Sequence, residues 1–186
     1  MRNIIAIVFA LMCGAIVALV APGGALADLL KAGDKAPAFS TDAIYGDQTT
    51  PIKLSDYRGQ TVALYFYPKD FTPGCTTEAC TFRDSYAKIK KAGIVLLGCS
   101  VDTADAHRAF IKKYGLPFSL LLDPDKKIAT EYGVANGIVK YGLDGRVTYV
   151  IGGDGHILKV YLKVDPALNA AEIISQFGSK STAAVN

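Results

Sequence analysis

The stretch Thr61-Val-Ala-Leu-Tyr-Phe-Tyr67 constrains this chain more than any other. It is almost unbroken in apolar and aromatic residues, has the length of a strand, and is stopped by Pro68. A strand that is apolar on both sides must be covered on both faces, as the central strands of parallel or mixed sheets are. The next segment has a different period. From Pro73 to Lys91, Ala79, Phe82, Tyr86 and Ile89 recur at helical spacing, with Gly93 beyond the end. Ile94 to Val101 is then a second buried strand, Thr103 to Tyr114 a second helix, Phe118 to Leu122 a strand, and Pro124 to Tyr132 a short helix. Arg146–Ile151 and His156–Tyr161 flank Gly152-Gly-Asp-Gly155, a hairpin pattern. Pro166 to Phe177 predicts the last helix, with proline in or near its first turn. Ahead of all this, Ala32–Phe39 reads as an irregular entry and Leu54–Gly59 as a single helical turn.

Parallel crossovers with an antiparallel hairpin after them imply an α/β fold: a mixed central β-sheet with helices on both faces, the thioredoxin-like arrangement.

The N-terminus reads as something other than fold. Arg2 is the only charge before Asp28, and Ile4–Val20 is apolar. Pro22-Gly-Gly24 and the small-x-small triplet Ala25-Leu-Ala27 come next. That layout predicts an export signal in residues 1–27, cleaved after Ala27, with an uncleaved membrane anchor as the rival reading. The expected destination is the periplasm, a thylakoid lumen or the exterior. The domain then spans 28–178, and the polar tail 179–186 is expected to fray.

The chain of 186 residues carries a formal charge of +3. Removing residues 1–27 takes away one arginine and no acid. No basic block or aromatic-interleaved stripe points to nucleic acid. Cys13 lies in the leader, so the domain has Cys75, Cys80 and Cys99.

Cys75 and Cys80 lie in the loop-to-helix segment after the first buried strand. Loops at the carboxyl ends of strands are where α/β proteins place their sites. Pro73 suits a first helical position, which puts Thr72 at the N-cap and Cys75 in the first turn. There the dipole and unpaired N–H groups favour a thiolate, the nucleophilic form. Cys75 also falls on the inward stripe, four residues before Ala79, with Gly74 keeping bulk from the sulfur. The plainer alternative is a small buried residue filling a gap.

Five residues of α-helix separate two Cα atoms by roughly 8–9 Å, whereas a disulfide needs less than about 7 Å. Cys75 and Cys80 therefore cannot bond while the helix is intact; a bond between them requires local unwinding. Cys80 lies off the stripe, toward the rim, where a thiol could resolve a sulfenic acid. A permanent staple in a non-helical loop is the alternative. Cys-x4-Cys without a second ligand pair does not fit zinc, and the absence of Cys-x-x-Cys disfavours a simple dithiol exchanger.

Tyr67-Pro-Lys-Asp-Phe-Thr-Pro-Gly-Cys-Thr-Thr-Glu-Ala-Cys-Thr-Phe-Arg-Asp84 resembles the active-site segment of the peroxiredoxins, in particular the peroxiredoxin Q or bacterioferritin comigratory protein subgroup. The similarity runs on through Ser100-Val-Asp102, His107–Tyr114, Leu116-Pro-Phe118 and Arg146–Ile151. It implies a thiol peroxidase acting on hydrogen peroxide and organic hydroperoxides. In it Cys75 would be the peroxidatic cysteine, and Cys80 the resolving one through an intramolecular disulfide. Thr72 would bond the sulfur and the peroxide, Pro68 would shield the pocket, and Arg146 would hold the thiolate. It further implies a thioredoxin-like reductant, no metal, haem or flavin, and a monomer sufficient for the cycle. An exported thioredoxin-fold thiol–disulfide oxidoreductase is the competing reading.

Several residues are expected to play no chemical part. Glu78 reads as an acid in a helix's first turn, His107 as part of a solvated helix face, His156 as a residue after a turn, and Cys99 as core packing.

Overall fold

The computed structural model describes residues 29–135 and 145–178. The expected leader, residues 1–27, and the expected tail, 179–186, lie outside them. Among the described residues no helix is long and apolar enough to cross a membrane.

Among the described residues seven strands form one mixed sheet: β1 (Ser40–Tyr45), β2 (Gln48–Lys53), β3 (Thr61–Phe66), β4 (Ile94–Ser100), β5 (Ser119–Leu122), β6 (Val147–Ile151) and β7 (Ile157–Tyr161). Their spatial order is β2-β1-β5-β4-β3-β6-β7. β3, β4 and β5 run parallel, joined by α1 (Pro73–Lys91) and α2 (Ala104–Tyr114). β6 pairs antiparallel with β3, opposite Val62–Phe66, and with β7. The remaining helices among the described residues are α3 (Lys127–Glu131) and α4 (Asn169–Phe177), and Leu54–Tyr57 is a 3-10 turn.

The apolar run of β3 is covered as its composition demands. Ala63 and Tyr65 face a cluster with Ala79, Phe82 and Ile89 of α1, Phe110 and Ile111 of α2, and Ile173 of α4. Val62, Leu64 and Phe66 face the other way, against Leu97, Ile128, Tyr132 and Tyr149. The two-residue period of a strand sends alternate side chains to the two covers.

One element goes unread in the sequence and one expectation needs correction. The hairpin β1–β2 occupies residues 40–53, to which the sequence pattern assigns no element. β1 opens on three polar residues and buries the adjacent pair Ala43 and Ile44, and β2 is a polar, exposed edge strand, so neither shows the alternation of a half-buried strand. The last helix begins at Asn169 rather than Pro166. Residues 166–168 form a turn in which the Ala167 N–H donates to Asp165 Oδ1 and the Leu168 N–H to the Asp165 carbonyl.

The arrangement fixes where chemistry can occur. β3 delivers the chain to the sheet's carboxyl edge, the loop 67–72 turns it back, and α1 starts there. β6 enters the sheet beside β3, so Arg146, one residue before β6, arrives at the same edge.

Candidate active site

α1 begins at Pro73, with Thr72 extended at its N-cap and the Thr76 N–H donating to the Thr72 carbonyl. Pro73 has no N–H, and those of Gly74 and Cys75 precede the helix's own ladder. Cys75 thus sits at the positive end of a long helix. Its side chain is 1% exposed, within the apolar cluster that includes Tyr65, Tyr67 and Ala79.

The guanidinium of Arg146 closes on it, with Nη2 donating to Cys75 Sγ at 3.4 Å. Arg146 is itself buried. Its Nε lies 3.6 Å from Glu78 Oε2, and Glu78 is 1% exposed. Asn169 Nδ2 donates to Glu78 Oε1 at 3.0 Å and to Thr148 Oγ1 at 2.7 Å. A chain of polar contacts therefore runs from α4 and β6 through Glu78 to Arg146 and the sulfur. Burying an arginine requires a carboxylate partner, and here the carboxylate is braced in turn by an amide.

Glu78 is thus not an acid of the helix's first turn but a buried partner of Arg146 one turn further in. It stands on the inner stripe of α1, three residues after Cys75 and one before Ala79. Asn169 and Thr148 carried no chemical signal in the sequence.

Gly74 serves a different neighbour from the one expected. A Cβ there would run into the guanidinium of Arg146, so its bareness makes room for the arginine. Thr72 occupies the N-cap position, but its hydroxyl donates to the Lys69 carbonyl at 3.0 Å and makes no side-chain cap bond. Pro68 is exposed at the loop's start, lining a cavity of about 190 Å³ with Phe66, Tyr67 and Cys99.

Cys80 lies on the same unbroken helix as Cys75, is partly exposed, and both are free thiols. Arg83, one turn further on, donates from Nη1 to the Tyr114 carbonyl at 2.8 Å and so ties α1 to the end of α2. Cys99 is buried in the other cluster, and burial, followed by the negative charge of Asp123, pushes its thiol well above the ordinary range.

His107 corrects a further expectation. It is fully buried instead of lying on a solvated face. Its Nδ1 is 2.7 Å from Asp70 Oδ2 and its Nε2 3.2 Å from the Leu121 carbonyl. His107, Phe110, Ile111 and Tyr114 have the 3, 4, 7 spacing of one helix face, so its inward placement was in the pattern.

Comparison with known proteins agrees with this geometry. Residues 32–160 match the family model described as AhpC/TSA. The chain is 39% identical to peroxiredoxin Bcp of Bacillus subtilis, over 78% of this chain and 93% of that one. It is 45% identical to the chloroplastic peroxiredoxin Q of Sedum lineare, over 69% of this chain and 67% of the relative. A solved Xanthomonas campestris bacterioferritin comigratory protein, studied for alkyl peroxide reduction, superposes with a TM-score of 0.69 at 26% identity. That match covers 82% of this chain and 97% of the other.

Proposed function

This chain belongs to the AhpC/TSA family and is a peroxiredoxin, a thiol-dependent peroxidase, and on that ground we propose that Cys75 is the sulfur that peroxide oxidises. The observation that carries the assignment is Arg146 Nη2 at 3.4 Å from Cys75 Sγ, at the head of α1. Cationic and N–H donors fixed in place favour thiolate, and they also stabilise charge that develops on a departing oxygen.

The placement supports the following cycle. The Cys75 thiolate attacks one oxygen of R–O–O–H, and the O–O bond breaks. RO⁻ leaves and takes a proton, giving water or an alcohol, and Cys75 becomes sulfenic acid. Thr72, whose hydroxyl proton is committed to Lys69, keeps lone pairs to accept from the peroxide O–H. Pro68 and the rest of the loop 67–72 form the rim. The first turns of α1 then open and Cys80 attacks the sulfenic sulfur, expelling water and leaving a Cys75–Cys80 disulfide. A thioredoxin-like dithiol reduces it by exchange, becoming a disulfide itself. Both sulfurs belong to one chain, so the cycle needs no second subunit.

Equimolar hydrogen peroxide added to the reduced protein tests this. Rapid thiol loss with a mapped Cys75–Cys80 bridge is expected for the wild type, trapped sulfenic acid for Cys80→Ser, and inertness for Cys75→Ser. Slow reaction in all three would instead favour a disulfide exchanger acting on protein thiols. We also propose export, on the layout of residues 1–27; a mature N-terminus at Asp28, read from fractionated cells, is the expected result.

A further inference from the structure

The loop that leads into α1 is strained, and it is held from below. Phe71 has φ 62°, in the left-handed region that residues with a Cβ avoid, and its ring is 44% exposed. Such a conformation persists only where its surroundings over-determine it. Asp70, the residue before it, supplies that constraint. Its Oδ2 meets His107 Nδ1 at 2.7 Å, its Oδ1 accepts from the Tyr67 hydroxyl at 2.8 Å, and its N–H donates to Asp102 Oδ2 at 2.9 Å. Asp102 is fixed by Ser100 Oγ at the end of β4, at 2.7 Å. His107 in turn rests on the sheet through Nε2 and the Leu121 carbonyl. A carbonyl only accepts, so Nε2 carries a proton, and a second proton bridges Nδ1 and the carboxylate. The Phe71 ring stands edge-on to Phe110, one helical turn after His107, at 5.1 Å.

The side chains of His107 and Asp70 are 0% and 1% exposed. A buried ionisable pair adds little net stability compared with apolar packing, so thermodynamic stability is a weak reason for its presence. Its position supplies a better one, because the pair ties α2 and β5 to the loop between β3 and the first turn of α1. We propose that Asp70 and His107 are positioning residues for the peroxidase: their buried pair latches the strained loop in the form that presents Cys75 to peroxide, and release of the latch frees the first turns of α1 for attack by Cys80. The proposal rests on the Cys75–Cys80 cycle. It adds where the opening is controlled, namely at α2 and β5, away from either sulfur.

The test compares wild type with Asp70→Asn, His107→Asn and the control His156→Gln. His156 is half-exposed beside the turn between β6 and β7. Single-turnover mixing with peroxide, quenched and mapped by mass, separates the peroxide-dependent oxidation of Cys75 from the peroxide-independent closure of the disulfide. Hydrogen exchange reads the amides of Thr76–Cys80 against those of β3 and β4. In both latch variants oxidation should slow about tenfold, as for a misplaced reacting group. Closure should be at least as fast as in wild type. Protection at Thr76–Cys80 should fall about tenfold or more, with β3 and β4 unchanged.

Opposite movement of the two phases is the signature of a latch. A merely structural role would slow both phases together and loosen exchange throughout the molecule, and that result would overturn the proposal. So would unaltered phases and exchange. Asp70→Asn preserves shape, so it keeps the test available if His107→Asn does not fold. Should the wild type oxidise Cys75 yet form no bridge to Cys80, the resolving assignment would fail. The oxidation phase and the exchange of Thr76–Cys80 would then still decide the latch.

Discussion

Cys75 and Cys99 are each 1% exposed and each belongs to an apolar cluster, on opposite faces of one sheet. Their surroundings diverge from that point. Cys75 has a helix's first turn and a buried guanidinium against its sulfur. Cys99 lies mid-sheet, with Phe66 beside it on β3, and the charge that acts on it is a carboxylate that pushes its thiol further up. Burial alone therefore does not separate the thiol proposed to react from its counterpart on the other face. What separates them is whether donors or acceptors meet the sulfur where water has been removed.

Arg146→Gln attacks that contrast directly. It keeps the side chain's polarity while removing the charge from the sulfur, and we expect the rate constant of Cys75 with peroxide to fall about 10²–10³-fold. Arg146→Lys should recover only part of it, since a single ammonium cannot serve Sγ and Glu78 with the geometry of a fork. A rate close to wild type in Arg146→Gln, by competition for peroxide, would mean the helix terminus suffices.

Gly74→Ala probes the same contact from the other side. Alanine in place of glycine favours the helix by up to about 1 kcal/mol, yet its Cβ would displace the guanidinium. A protein as stable as wild type or more so, with Cys75 oxidised about tenfold more slowly, is the expected pairing. Thermal melts and the same peroxide assay check it.

Cys99→Val should have the smallest effect: peroxide turnover within about twofold, and a stability change under about 1.5 kcal/mol for a swap of similar volume. The Cys99 thiol is raised in the folded protein by burial and by Asp123, so the folded state holds its proton longer than the unfolded chain does. Its contribution to stability is therefore complete below the ordinary thiol range and is lost progressively as pH rises from that range toward the raised value of the folded state. Denaturant midpoints of wild type and Cys99→Val, compared between neutral and alkaline pH, should separate, with wild type losing more.

The contrast also shows what could be read from sequence. The β3–α1–β4 unit was legible, because an apolar run and a helical stripe are strong signals and a proline and glycines mark their ends. So was the positioning of Cys75 in the first turn of α1. The hairpin β1–β2 was not, since Ser-Thr-Asp and Gln-Thr-Thr-Pro present no apolar face. Glu78 and His107 are under-read for related reasons. Both occupy inward positions by spacing, but in the sequence Glu78 reads as a plain first-turn acid and His107 as part of a solvated face. A buried charge needs a partner, and those partners, Arg146 and Asp70, lie 68 and 37 residues away along the chain. One-dimensional pattern cannot supply that distance.

The length of α1 has a kinetic consequence. Only its first two turns need to part in the proposed cycle, while Phe82 and Ile89 stay sunk in the core and Arg83 stays tied to Tyr114. When the disulfide is reduced, the freed residues regrow on the end of a standing helix. Adding residues to an existing helix takes about nanoseconds each and avoids the unfavourable nucleation step. Resetting the enzyme is thus a matter of elongation, and the tempo of repeated turnover falls to the chemistry and to the arriving dithiol.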